Sequence, residues 1–311
     1  MRLLGRGEAP GKVILCGEHA VVYGRPALAV PLLGVHAEAE VTAGLPGTGL
    51  VICALDLGEE CALRAAAADH PLAALARLTL SHLGLPEPDW RVTIHSTIPV
   101  ASGMGSGAAV SAALVRALAA AAGQGLPAEQ VSALVYEAEK FYHGTPSGID
   151  NTVIAYGRPV YFVRGQPPQT IPIGRPFALA VADTGVRSST RAVVAAVRSA
   201  WEREPARYDA LFDRIAEIVQ VAARALAAGM PERLGPLMDE NHTLLREIGV
   251  SSPELDALVA AARAAGAGGA KLSGAGRGGN VIALVTEQTA GQVVAALQAA
   301  GAARVMVTEV R

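Results

Sequence analysis

The sequence predicts an α+β fold in two domains, and three observations carry the prediction. Apolar runs with β-branched residues crowd the first part of the chain, long alanine-rich helical stretches follow, and a short strand–helix–strand pattern closes it. Strands and helices do not alternate strictly, so a doubly wound parallel sheet is not expected. A Pro- and Gly-rich stretch, GQPPQTIPIGRP over 165–176, marks the seam and gives expected domains of 1–168 and 169–311.

Taken in order, strands are expected at KVILCG, ALAVPL, VHAEAEVT, WRVTIHS and PVYFV, with helices over 107–123 and 127–141. After FALAVADTG comes a helical region from Thr190 to Ile248, interrupted at REPARY and AGMPERLG, where Pro and Gly stand. Ser252 precedes Pro253 as the N-cap of the next helix, and NVIALV and RVMVTEV flank a last helix beginning EQTAG. The run GAAVSAALVRALAAAAG contains Arg116 and falls short of the roughly 18 uninterrupted apolar residues of a membrane span, so it reads as buried helix.

Composition narrows the function. The 311 residues are 51% hydrophobic and 17% charged with a net charge of −2, which suits a globular protein with a sizeable core and argues against nucleic acid or an anionic membrane as partner. Cys16, Cys53 and Cys61 form no CxxC spacing and the N-terminus lacks the pattern of a secretory leader, so a cytoplasmic location is expected. Only Lys12, Lys140 and Lys271 among the 26 basic residues are lysine. Lys12 and Lys271 lie in glycine-rich stretches, either as point charges for a phosphate or as chance survivors of a drift to arginine.

Four stretches carry candidate chemistry. The strand KVILCG runs from Lys12 into Glu18-His19, an acid beside an imidazole. HSTIPVASGMGSGAAVSAAL is strand, loop with Gly103, Gly105 and Gly107, then helix: either an anion site at a helix N-terminus or a tight turn capped by Ser106. It is not a Walker A loop, because GxxxxGK[ST] occurs nowhere in the chain. KLSGAGRGGN holds a literal GxGxxG at Gly274, Gly276 and Gly279, yet a helix precedes it and a strand follows, the reverse of a dinucleotide fingerprint. It is left as a glycine loop beside another phosphate loop, or a tight corner. In YEAEKFYHGTPSGIDN, Glu139 near a helix end and Asp150 after a Pro-Ser-Gly turn suit a division of labour in phosphoryl transfer, one carboxylate on Mg²⁺ and one receiving a hydroxyl proton. Alone, the two fit equally a solvated helix-end Glu and a capping Asp.

Together these stretches resemble the GHMP kinase superfamily over nearly the whole chain, most strongly its mevalonate kinase branch. PGKVILCGEHAVVYGRPALA is similar to that branch's first motif, PVASGMGSGA to PxxxGLGSSA, HGTPSGIDN to the motif of the catalytic Asp, and KLSGAGRGGN to KxTGAGGGGC. The resemblance implies a ribosomal protein S5-like N-terminal domain, a ferredoxin-like α+β C-terminal domain, and ATP-dependent phosphorylation of the C5 hydroxyl of mevalonate with Mg²⁺. It implies Asp150 as catalytic base with Lys12 placed close to it, and Glu139 as the metal ligand. Ser96 and the loop Ala101, Ser102, Gly103, Met104, Gly105, Ser106 and Gly107 fall at the ATP site, and Glu18, His19 and Ser147 at the substrate. Its alternatives are a phosphomevalonate kinase, a mevalonate 3-kinase or, more remotely, a non-catalytic ligand sensor; a homodimer is compatible with it.

There are departures. Gly107 replaces a metal-ligating serine, so Ser106 or water must substitute; Arg277 replaces a glycine, either adding charge near the phosphates or pointing outward; and Asn280 replaces a cysteine.

Overall fold

The computed structural model describes residues 2–99, 103–143 and 146–311, with the backbone alone at 57 and 141–143. It divides into two compact units, the first of residues 1–11, 35–100 and 105–157, the second of 12–34, 101–104 and 158–311. Two long strands, β1 (Leu3–Cys16) and β2 (Ala27–Ala43), pair with each other and contribute residues to both units.

β1 begins nine residues before the expected strand. Its first half alternates buried Gly5, Gly7 and Ala9 with exposed Arg6 and Glu8, a strand period written in the smallest residues rather than β-branched ones. The reason lies in the helix above it. A Cβ at Gly5 or Gly7 would enter the backbone of Ala113, Ala117 or Ala121. β2 is a single strand through Gly34 where the sequence suggests two.

In the first unit follow β3 (Val51–Ala54), β4 (Glu59–Ala62), α1 (Pro71–His82), β5 (Trp90–Ser96), α2 (Ser106–Ala121), α3 (Ala128–His143) and α4 (Ile149–Tyr156). The strands lie in the order β4-β3-β5-β2, with β3 parallel to β5 and the other pairs antiparallel. Helices α1 to α4 pack on one another, and the alanines of α2 let neighbours approach closely.

In the second unit the start of β2 pairs with β6 (Val160–Phe162), and β6 with β7 (Gln169–Thr170). Then come β8 (Phe177–Asp183), α5 (Thr190–Arg203), α6 (Pro205–Ala227), α7 (Leu234–Ile248), α8 (Pro253–Ala264), β9 (Gly269–Ser273), β10 (Asn280–Val285), α9 (Glu287–Ala299) and β11 (Arg304–Val310). The helix breaks fall at Pro205 and in the AGMPERLG stretch, and Ser252 caps α8 by accepting from the Leu255 amide at 3.4 Å. The sheet β11-β8-β10-β9 is antiparallel throughout, and every residue of β9 and β10 is buried. Among the described residues no helix is long and apolar enough to cross a membrane.

Helix α7 meets β9 through glycine on both sides. A Cβ at Gly235 would collide with the Gly268 carbonyl, and one at Gly269 with that of Gly235. Gly235→Ala gains about 1 kcal/mol in helix propensity, but overpacking against backbone costs about 1–3 kcal/mol. The variant is therefore expected to unfold at lower urea concentration than the parent, and an unchanged or raised midpoint would contradict this packing.

Candidate active site

In the first unit, Gly105 adopts the left-handed conformation (φ 77°) as N-cap of α2, so Ser106 and Gly107 are the helix's first residues. Ser106 therefore does not cap the turn: it is half-buried at the helix start, where free amides and the helix dipole favour an anion. Among the described residues, a Cβ built at Gly107 meets nothing within 4 Å, so the place of the motif's second serine is open with respect to them. Glu139 on α3 is 7% exposed. Ser96 ends β5, its amide donating to Asp56 Oδ2 at 2.6 Å and its hydroxyl accepting from the Ile98 amide at 3.1 Å.

The sequence's Pro-Ser-Gly turn proves to be a helix start. Gly148, in the left-handed conformation (φ 91°), is the N-cap of α4, and half-buried Asp150 lies in the first turn. Its neighbours are immobilised from behind: Asn151 donates to the Ser132 carbonyl (3.1 Å) and hydroxyl (2.9 Å), Thr152 donates to the Gly148 carbonyl (2.6 Å), and Ser147 accepts from the Ile149 amide (3.4 Å). Ala101 and Ser102 lie outside the described residues.

In the second unit, Lys12 is 4% exposed and its amide donates to the Met104 carbonyl at 3.0 Å, tying β1 to the end of the glycine loop. Buried Asn280 stands under the same loop, its carboxamide nitrogen 3.5 Å from where a Cβ of Gly103 would be. Glu18 is 1% exposed and bonds through Oε1 to Lys271, itself fully buried and also donating to the Leu272 carbonyl. Lys271 is thus engaged in an internal ion pair rather than offered to a phosphate, a partnership across 253 positions that local sequence cannot reveal. Burial pushes the Glu18 carboxyl up, and the Lys271 charge opposes the shift.

His19 is one of two non-glycine residues at positive φ among those described (61°), a strained backbone position. Its Nε2 lies 2.8 Å from the Ala275 carbonyl, which can only accept, so Nε2 carries the proton and Nδ1 is left as an acceptor. Burial, with smaller effects of the Arg277 and Lys271 charges, pushes the imidazole down to about 4. Arg25 nearby in sequence is committed to α6, where its guanidinium meets Asp209 at 3.3 Å and Asp213 at 2.9 Å. Arg277, the other positive-φ residue (55°), reaches the Gly249 carbonyl at 3.4 Å through Nε and Nη2, at the C-terminal end of α7 where a cation is favoured. Its guanidinium is thereby engaged with α7.

Sequence reasoning also passed over Ser273, whose hydroxyl accepts from the Ile14 amide (3.1 Å) and donates to the Ile14 carbonyl (3.0 Å). Its place in KLSGAG beside the glycines was the available signal.

The chain matches the family models of the GHMP kinases N terminal domain over residues 69–158 and of the GHMP kinases C terminal domain over 222–303. It is 38% identical to a mevalonate kinase of Aeropyrum pernix over 296 residues, covering 92% of this chain and 90% of that protein. A mevalonate kinase of Thermococcus sibiricus is 34% identical, with 97% and 94% covered. Among solved structures, L. major mevalonate kinase in complex with R-mevalonate superimposes with a TM-score of 0.85 at 32% identity, covering 99% of this chain and 96% of that one.

The tautomer and the depressed basicity of His19 give a testable pair of expectations. Nitrogen-15 NMR should show a neutral ring protonated at Nε2 down to about pH 5, since its proton enters only near pH 4. Between its unfolded value of 6.5 and about 4 the unfolded chain alone takes the proton, so this contribution to stability is lost as pH falls through that window. The slope of unfolding free energy against pH should accordingly be shallower in His19→Gln, by up to about 1.4 kcal/mol per pH unit. Equal slopes in parent and variant would refute the assignment.

Proposed function

Because the chain belongs to the GHMP kinases, within their mevalonate kinase family, we propose that it transfers the γ-phosphoryl group of ATP to the C5 hydroxyl of (R)-mevalonate, yielding 5-phosphomevalonate. It is a small-molecule kinase, with 1–168 as the domain bearing the nucleotide loop and base and 169–311 as the C-terminal domain. The observation that carries the choice of acceptor is the chemistry of the Glu18-His19 corner. A neutral His19 and an Arg25 satisfied by Asp209 and Asp213 suit an acceptor with free hydroxyls better than one already bearing a phosphate.

Residue roles follow from the motifs with this geometry in support. The amides opening α2 at Ser106 and Gly107, with Gly103, Met104 and Gly105 before them, receive phosphate oxygens of ATP; Ala101, Ser102 and Ser96 complete the nucleotide site. Asp150 accepts the proton of the C5 hydroxyl. A carboxylate is a far weaker base than an alkoxide and cannot form one in advance, so the proton leaves late, in a loose transition state. Lys12 neutralises charge developing on the transferred group. His19 Nδ1, an acceptor, takes a hydrogen bond from a hydroxyl of mevalonate, and Ser147 lines the acceptor side.

Glu139 and Ser106 offer a buried carboxylate and a hydroxyl, hard oxygen donors of the kind Mg²⁺ takes alongside phosphate oxygens and water. The open space at Gly107 leaves room for a water where the motif has a hydroxyl. The residues present therefore fit a magnesium ion. Glu139 and Ser106 would hold the ion, whose charge would offset the negative charge of the phosphates.

Two experiments test these assignments. ATP and Mg²⁺ are offered with mevalonate, 5-phosphomevalonate, homoserine and galactose, and phosphorus NMR reads the position phosphorylated; turnover of phosphomevalonate but not mevalonate would overturn the acceptor. Asp150→Asn should lose about 10²- to 10⁴-fold in kcat while ATP binding persists. A kcat within a few-fold of the parent would remove Asp150 from the chemistry.

A further inference from the structure

The Glu18-Lys271 pair sits beneath the corner that bears His19, and the mechanism uses neither charge. Lys271 is one of three lysines in the chain and is 0% exposed. Its ammonium is directed at Glu18 Oε1 and the Leu272 carbonyl, while Glu18 Oε2, also buried, finds no hydrogen-bond partner among the described residues. A pair built for stability would satisfy both oxygens, and well-packed apolar residues of similar volume commonly stabilise as well or better. What such a pair supplies that apolar residues do not is a fixed register between two segments.

The surrounding bonds show which segments these are. Lys271 and Ser273 lie two apart on β9 and so share a face. Lys271 holds Glu18, Ser273 holds Ile14 by both its amide and its carbonyl, and the carbonyl of Ala275, two residues further, receives His19 Nε2. Between Ile14 and His19 the chain turns through Gly17 at φ 108° into His19 at φ 61°. A histidine keeps such a conformation only where its surroundings over-determine it. Among the contacts named here, Glu18 is the residue next to it and Lys271 is what fixes Glu18.

We infer that Lys271 is a positioning residue for acceptor binding: through Glu18 it holds the strained His19 backbone so that the imidazole meets the acceptor. Glu18, 1% exposed, serves from behind and does not touch the acceptor. This rests on the reading that His19 meets the acceptor.

The experiment compares the full-length parent with Lys271→Met, Glu18→Gln and the apolar double variant Lys271→Met with Glu18→Leu. Melting temperature and the KM for ATP and for mevalonate are measured for each. Each single variant leaves one buried polar group unmatched and is expected to melt lower, whereas the double variant restores charge balance and recovers the melting temperature. The decisive result is that the double variant, though stable, keeps a KM for mevalonate raised roughly tenfold or more, with the KM for ATP within about twofold of the parent. A double variant with parental KM for mevalonate, or one in which both KM values rise together, would overturn the inference, since charge balance or general damage would then explain the pair. Should the parent phosphorylate another acceptor, that acceptor replaces mevalonate in the comparison. The parent's own turnover thus tests the function, and the split in KM tests the role of Lys271.

Discussion

The hydroxyl of Ser273 bonds both main-chain polar groups of Ile14, its N–H and its C=O, and the Gly17-Glu18-His19 corner of the second unit depends on that two-ended bond. Ile14 lies in β1 between Lys12 and the Gly17-Glu18-His19 corner. Fixing its backbone against β9 therefore sets where Lys12 stands on one side and how the corner opens on the other. A one-residue slip would carry every side chain of this part of β1 to the opposite face, so the register has to be specified strongly. To the hydrogen bonds within the sheet, a side chain of another strand adds bonds that hold the N–H and C=O of a single residue at once.

Burial explains why so many polar groups gather there. Lys12, Glu18, His19, Lys271, Ser273 and Asn280 are all buried in the second unit. Removing one partner of a buried charge pair typically costs about 3–5 kcal/mol because the other charge stays behind, whereas the pair as a whole adds little net stability. The arrangement is thus stiff against single changes without being a source of stability. In the first unit the comparable element is Arg116, whose guanidinium bridges the Glu8 carbonyl of β1 and the Ala155 carbonyl of α4. Burial lowers its pKa, and at neutral pH it remains a cation. It can satisfy main-chain acceptors on two elements that α2 separates.

How much of this was legible in the sequence varied with the range of the interaction. The mixed fold, the glycine loop opening α2 and the helix breaks at Pro205 and after Ala227 were readable because Pro and Gly act locally. The first half of β1 was not, because its buried face is Gly5, Gly7 and Ala9, which carry no hydrophobic signal. Four-residue β3 and β4 were missed too: β4 is Glu59-Glu60-Cys61-Ala62 with no buried residue, and pairing alone makes it a strand. The engagement of Lys271 with Glu18 and of Arg277 with Gly249 depends on partners 253 and 28 positions away. Spacing carried no trace of either. Of the candidate site, the motifs gave the residue types and their order; the helix start at Asp150, the strained backbone of His19 and the open space at Gly107 came from the geometry.

That open space has a consequence for the helix itself. Gly103 and Gly105 stand at positive φ and are needed there, whereas Gly107 is in the helix with no neighbour among the described residues that a side chain would strike. Neither sterics nor dihedral strain asks for glycine. Its presence leaves the first turn of α2 about 1 kcal/mol easier to open than alanine would, at the point where a phosphate would bring acceptors for the turn's unpaired amides. At the proposed nucleotide site the helix end and the nucleotide would complete one another. With ATP phosphates at this turn, as proposed, part of the free energy of binding would go into ordering a turn that the sequence alone leaves only loosely closed.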